Sequence, residues 1–235
     1  MKSIKLILAS MLLLSVAYAQ GDKKLLKPDT QTKDLKVKIP AWMDKDEFTV
    51  TTIAGKKMHL LSTDKGFTFD DSKGKLTLLV VWERACKSCP KWLKGMQDLE
   101  KHFDNKVKVI TLELSNSEKK RVEKLRKEKK LDSKALNKII EKNHKDLKKF
   151  TKKYNLDLPI ISLLSTKENL DFSLQTLYKF EFSKPRGKAK RGGGLPFTVV
   201  FGPEGQTAGI TAGISDQDAY KKYIEKLIKY YEDKK

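Results

Sequence analysis

A chain of 235 residues has room for one domain with a decoration or for two small ones, and its 50 Lys and Arg against 30 Asp and Glu give a formal net charge of +20. A hydrophobic share of 39% excludes a wholly disordered chain. Two cysteines exclude a disulfide-stapled mini-scaffold and cannot complete a four-ligand zinc site. The charge points first to a polyanion, either nucleic acid or an anionic membrane.

The N-terminus redirects that reading. Lys2 and Lys5 precede an apolar run at 6–16 and the A-x-A site Ala17-Tyr18-Ala19, so residues 1–19 read as a secretory signal peptide. The run is too short for a membrane-spanning helix of about 20 residues. A mature chain cleaved near Ala19 is expected to be soluble and periplasmic, away from nucleic acid and where disulfide chemistry is normal. Residues 20–45, polar and Lys-rich with Pro28 and Pro40, read as a linker ahead of one domain at 46–235.

Residues 48–53 form a β-rich run, 54–57 a turn and 58–61 a second strand. Residues 76–82 are apolar apart from Thr77, the mark of a strand buried on both faces. In the helix expected next, Trp92, Met96, Leu99 and Phe103 share one stripe, and 107–114 reads as another strand. A Lys-rich insert at 117–154 follows. Its first part, 117–130, offers only Val122 and Leu125 and reads as a weak, exposed helix. Its second part carries Leu136, Ile139, Ile140, Leu147, Phe150 and Tyr154 at helical spacings, with lysines on the wet face. A strand at 159–164, a short helix at 170–182 and a flexible basic loop at 183–194 come next. Strands at 197–201 and 206–212 flank a tight turn. The last helix starts at Ser215 as its N-cap and buries Tyr220, Ile224, Leu227 and Tyr231. This order predicts an α/β fold, a mixed sheet with helices on both faces.

Both cysteines lie in Cys86-Lys87-Ser88-Cys89-Pro90, between the buried strand and the helix. Three residues is nearly one helical turn, so the sulfurs can approach bonding distance. Unpaired N–H groups and the dipole at a helix N-terminus favour a thiolate at Cys86, and Arg84, Lys87 and Lys91 add positive charge. Cys86 is then the exposed nucleophile and Cys89 the sheltered resolving thiol. A c-type haem site needs His where Pro90 stands. Zinc needs two more ligands, whereas His59, His102 and His144 are scattered. No metal is expected, and no cofactor beyond a redox-active Cys86–Cys89 disulfide. A purely structural disulfide stays open, although so short a ring stabilises little.

The stretch from Trp82 through Cys86 and Cys89 to Pro90 resembles the W-x-x-x-C-x-x-C-P active-site stretch of thioredoxin-fold proteins. Residues 194–201, followed by a turn with Gly205, resemble their cis-proline segment. Residues 48–56, 74–79 and 150–156 ahead of Pro159 are similar to the exported TlpA/ResA-like branch. The resemblance implies a thioredoxin-like mixed β-sheet flanked by helices, with an N-terminal β-hairpin. It implies Pro196 as a cis-proline facing the cysteine pair, Leu195 aiming its backbone at an extended substrate, and Trp82 beside the site. Thioredoxin carries a buried acid where this chain has Val80, and Glu83 is the nearby substitute.

The implied activity is thiol–disulfide exchange with exported thiol- or disulfide-bearing proteins. Its implied direction is reduction, fed by a membrane electron-transfer partner, as in cytochrome c maturation or disulfide repair. Acidic protein surfaces would suit the lysines. A DsbA-like oxidase or isomerase is the alternative within this chemistry. A redox-inactive basic binding protein on the same scaffold is the alternative outside it. Nucleic acid is not expected, since Gly192-Gly193-Gly194 lacks the strand-before, helix-after context of a nucleotide loop.

Overall fold

The β-rich run at the start of the domain pairs with the strand that follows it. In a computed structural model describing residues 47–62, 67–164, 166, 169, 195–212 and 216–234, β1 (Glu47–Thr51) and β2 (Lys57–Ser62) form an antiparallel hairpin. Gly55, at φ +85°, supplies the left-handed turn residue between them. A third strand, β3 (Phe67–Phe69), pairs with β2. It is absent from the sequence reading because three residues are too few for a periodic signal. The expected signal peptide (1–19), linker (20–45), helix at 170–182, basic loop at 183–194 and Ser215 cap lie outside the described residues.

The apolar run becomes β4 (Leu76–Trp82), the centre of a five-stranded mixed sheet. Helix α1 (Cys89–Phe103) leads from it to β5 (Val107–Glu113), which lies parallel to β4. The Lys-rich insert forms two helices, α2 (Asn116–Lys127) and α3 (Ser133–Tyr154), before β6 (Ile160–Ser162) joins parallel to β5. On the other side of β4, β7 (Phe197–Phe201) and β8 (Thr207–Ala212) run antiparallel to their neighbours, giving the order β6-β5-β4-β7-β8. Helix α4 (Gln217–Glu232) closes the described chain, capped by the Asp216 carboxylate, which accepts the Asp218 N–H at 2.9 Å.

Strand alternation sends Leu76, Leu78, Val80 and Trp82 to one face, where they pack with Trp92, Leu93 and Met96 of α1, Leu147 of α3 and Ile224 and Leu227 of α4. The opposite face, with Val81, Ile110 and Leu112, is covered by Val50, Met58 and Phe69 from the N-terminal sheet. Among the described residues α1, α3 and α4 share one face, and the small N-terminal sheet packs on the other. That sheet is tied to edge strand β6, since Ile53 N–H donates to Ile160 O at 2.8 Å. The buried Asn169 side chain continues the link. Its Nδ2 donates to Thr51 O and Ser162 O, and its Oδ1 accepts the Thr51 N–H. The edge is thereby closed to pairing with another chain.

Asp132 caps α3, accepting the Ala135 N–H at 2.6 Å, and Asn155 ends it in the left-handed region at φ 51°. The insert is no solvated linker. Leu147 is 0% exposed in the main core, and Val122, Ile139 and Leu164 form a smaller cluster between α2, α3 and the end of β6. Leu147→Ala is therefore expected to cost about 3 kcal/mol, whereas Lys149→Ala on the wet face should change stability by less than about 0.5 kcal/mol. Urea denaturation of both variants checks this, and equal effects would mean the helix is not part of the core.

Candidate active site

β4 has parallel β5 on one side and antiparallel β7 on the other, so its carboxyl end lies beside the end of β5 and the start of β7. The chain leaves it at Trp82, makes a turn in which Cys86 N–H donates to Glu83 O (3.1 Å), and enters α1 after Ser88. Pro90 sits in the first helical turn, where a missing N–H leaves no hydrogen bond unmade. The helix starts at Cys89 rather than at Cys86, which corrects the expected position of the first cysteine. Cys86 lies in the preceding turn, its carbonyl accepting the Cys89 N–H at 3.3 Å.

Cys86 and Cys89 are joined by a disulfide, their Cα atoms 5.4 Å apart. The two sulfurs are unequal. Cys89 is 0% exposed, among Trp82, Trp92 and Leu93, whereas Cys86 is half-buried at the surface. The Cys86 sulfur lies 3.5 Å from the Ser88 hydroxyl and 3.5 Å from the Leu195 carbonyl oxygen. The register Val81↔Phe197 places Pro196 and Leu195 at the Trp82 end of β4, and the Leu195–Pro196 peptide bond is cis. Trp92 Nε1–H donates to Thr198 Oγ1 at 3.2 Å in the core, tying the cysteine-bearing helix to the strand that follows Pro196. No local pattern announces the Trp92–Thr198 bond, whose partners are remote in the chain.

The remaining expected site residues are placed differently. Trp82 is fully buried and stacks on Phe150 with ring centroids 5.0 Å apart, so it supports the strand end from within the core. Lys87 is exposed and Glu83 half-buried in the turn. Arg84 is not a free cation beside Cys86. Its guanidinium donates to Asn143 Oδ1 (2.7 Å) and pairs with Glu118 (2.6 Å), Glu113 (3.4 Å) and Asp146 (3.8 Å). Its guanidinium is thus turned toward β5 and the two helices of the insert.

Behind Arg84 lies a buried polar cluster that the sequence reading missed. Glu113 accepts hydrogen bonds from the Ser115 and Ser162 hydroxyls, and Asn143 Nδ2 donates to those same hydroxyls and to Leu164 O. Ser115 reaches inward from a left-handed backbone at φ 49°, so its hydroxyl serves Glu113 rather than capping α2. Val80, where thioredoxin has its acid, is buried, and strand alternation puts Glu113 on the same sheet face. A lone acid ending an apolar strand run was the signal available for it. Among the described residues, no group of three or more His, Cys, Asp or Glu is placed to hold a metal ion, and no helix is long and apolar enough to cross a membrane.

Burial pushes the Glu113 carboxyl above the ordinary carboxylate range, outweighing the pull of Ser115, Arg84 and Ser162. Burial opposes the Arg84 charge too, but Glu113, Glu118 and Asp146 overcome it and raise its pKa. Glu118 is also disfavoured by burial, yet hydrogen bonds from Ser117 and Arg84 prevail and hold it below the ordinary range. A raised folded-state pKa means that the Glu113 contribution is full below its unfolded value and is lost as pH rises through the folded one. Glu118 has the opposite sign, its contribution present above its unfolded pKa and lost as pH falls through the folded one. Thermal melts from about pH 4 to about pH 8 should therefore show wild type losing stability relative to Glu113→Gln as pH rises. Relative to Glu118→Gln, wild type should lose stability as pH falls. A pH-independent difference in either pair would contradict the assignment.

The AhpC/TSA family model matches residues 46–209. A curated relative, the thioredoxin-like protein YneN of Bacillus subtilis, is 30% identical over 73 residues, covering 31% of this chain and 38% of that protein. The match thus spans well under half of that relative's length. Among solved structures, StoA from Bacillus subtilis is 18% identical and superposes over 76% of this chain and 96% of its own with a TM-score of 0.44. A thiol:disulfide interchange protein of the thioredoxin family from Chlorobium tepidum is 13% identical over 78% and 94% of the two chains, with a TM-score of 0.47. With well over half of its length matched by the family model, and with its two cysteines joined as the Cys86–Cys89 disulfide, the chain belongs to the AhpC/TSA family.

Proposed function

We propose that this protein is an exported, periplasmic thiol–disulfide oxidoreductase that exchanges electrons with protein substrates through Cys86 and Cys89. The observation that carries the reading is the inequality of the two sulfurs: Cys86 is accessible beside the Leu195 carbonyl, and Cys89 is shut in the core. In the reducing direction, the Cys86 thiolate attacks one sulfur of a substrate disulfide and the other sulfur leaves as a thiol. Cys89, giving up its proton, then attacks the Cys86 sulfur and displaces the second substrate thiol. Two electrons and two protons pass to the substrate, and the protein is left as the Cys86–Cys89 disulfide. The Ser88 hydroxyl, 3.5 Å from the Cys86 sulfur, can donate to the thiolate and favour it. Leu195 and Pro196 form the backbone rim against which an extended substrate segment lies, and buried Trp82 supports that rim from behind.

Net reduction is the direction favoured here, by similarity to the TlpA/ResA-like branch, with a membrane partner returning electrons to the disulfide. Service to cytochrome c maturation or disulfide repair fits that direction, and acidic protein surfaces fit the lysines. Wild type is expected to reduce insulin disulfides with dithiothreitol as electron source, and Cys86→Ser to lose that activity by more than about a hundredfold, as loss of the sole attacking thiol demands. Cys89→Ser should accumulate mixed disulfides on Cys86 in cells. Wild type inactive with insulin, together with no thiol-bearing protein trapped by Cys89→Ser, would sink the reading in favour of a binding module.

A further inference from the structure

The Lys-rich helical pair meets the redox turn through one side chain. Arg84 stands between the end of β4 and Cys86, in the turn closed by the Cys86 N–H to Glu83 O bond. Its guanidinium reaches Asn143 and Asp146 on α3, Glu118 on α2 and Glu113 at the end of β5. The far side of that contact is rigid, because Asn143 and Glu113 are 0% and 1% exposed and share the Ser115 and Ser162 hydroxyls. A planar fork of N–H donors can satisfy partners in several directions at once, which a lysine ammonium on a flexible stem cannot. The exchange steps described above make no use of Arg84, yet three elements of the fold converge on it two residues from the attacking sulfur.

We propose that Arg84 is a positioning residue: by pinning the turn that carries Cys86 to α2, α3 and β5, it holds Cys86 where the disulfide with Cys89 closes and makes that disulfide harder to reduce. The inference rests on the reading of the pair as the redox centre. Closure is intramolecular, so its equilibrium follows the effective concentration of one thiol at the other. Loosening the turn opens conformations to the dithiol form that the cross-linked form cannot use, and the dithiol gains. In the reaction that reports it, two glutathione thiols give two electrons and two protons to Cys86–Cys89. They leave as glutathione disulfide, and the protein becomes the dithiol.

Equilibration of the whole protein with glutathione buffers tests this. Arg84→Lys keeps the cation but not the fork, and should shift the equilibrium toward the dithiol by about fivefold, the scale of a coupling between packed neighbours. The pH at which Cys86 becomes alkylated should stay where it is. Glu118→Gln removes one half-buried anchor and should shift the equilibrium the same way by less, whereas Lys138→Gln on the exposed face of α3 should leave it unchanged. Folded Arg84→Lys and Glu118→Gln proteins with the wild-type equilibrium constant, or shifted toward the disulfide, would overturn the proposal even if their melting temperatures fall. If Arg84→Lys does not fold, Glu118→Gln decides alone by the same criterion. Wild type that does not exchange with glutathione at all would instead bring down the redox reading, and the positioning role with it.

Discussion

A carboxylate that is 1% exposed at the end of a strand cannot remain there without donors, because the loss of hydration far exceeds what an apolar pocket returns. Glu113 recruits its donors from three parts of the chain: Ser115 just after its own strand, Ser162 at the end of β6, and Arg84 just past β4. Asn143 of α3 completes the set, accepting from Arg84 and donating to both serines. Once these groups are satisfied together, the start of α2, the middle of α3, the end of β6 and the turn before Cys86 have little freedom relative to one another. The insert is thus held to the sheet by polar chemistry at one end and by Leu147 and Phe150 in the core at the other.

The asymmetry of the cysteine pair follows from the same architecture. Cys89 opens α1, whose inner face must meet the sheet, so its sulfur is drawn into the core with Trp92 and Leu93. Cys86 precedes the helix and escapes that burial. The bond from Trp92 to Thr198 and the edge contact of Trp92 with Tyr220 then couple α1 to β7 and α4. The strand bearing Leu195 and Pro196 at its start cannot drift from the helix bearing Cys89. The Cys86 sulfur is left on the one side of the pair that solvent can reach.

The large positive charge has a more limited meaning than it first suggests. Helix α3 carries eight lysines against two acids, yet its apolar stripe lies in the core and its lysines lie outside. Like charges at helical spacing repel modestly in water and cost little while they stay solvated. The lysines therefore ride on a helix whose fold is decided by its other face. Arg84, the cation closest to the cysteines in sequence among those drawn inward, is turned toward the three acids Glu113, Glu118 and Asp146.

What the sequence determined by itself was whatever local chemistry spells out. The apolar run 76–82, the stripe from Trp92 to Phe103, the alternation at 48–61 and the periodicity of 136–154 each needed only burial and spacing to be read, and they appear as β4, α1, the β1–β2 hairpin and α3. The cysteine pair was equally legible, because a strand, two cysteines one turn apart and a helix are contiguous in the chain. What only the tertiary structure decided was the destination of side chains whose partners are remote. Arg84 and Asn143 are 59 residues apart, Glu113 and Ser162 are 49, and Trp92 and Thr198 are 106. A charge two positions from a cysteine looks like a modifier of that cysteine until the fold supplies three carboxylates that compete for it. No local pattern encodes that competition, since it depends on which strand ends and helix faces the packed sheet brings together.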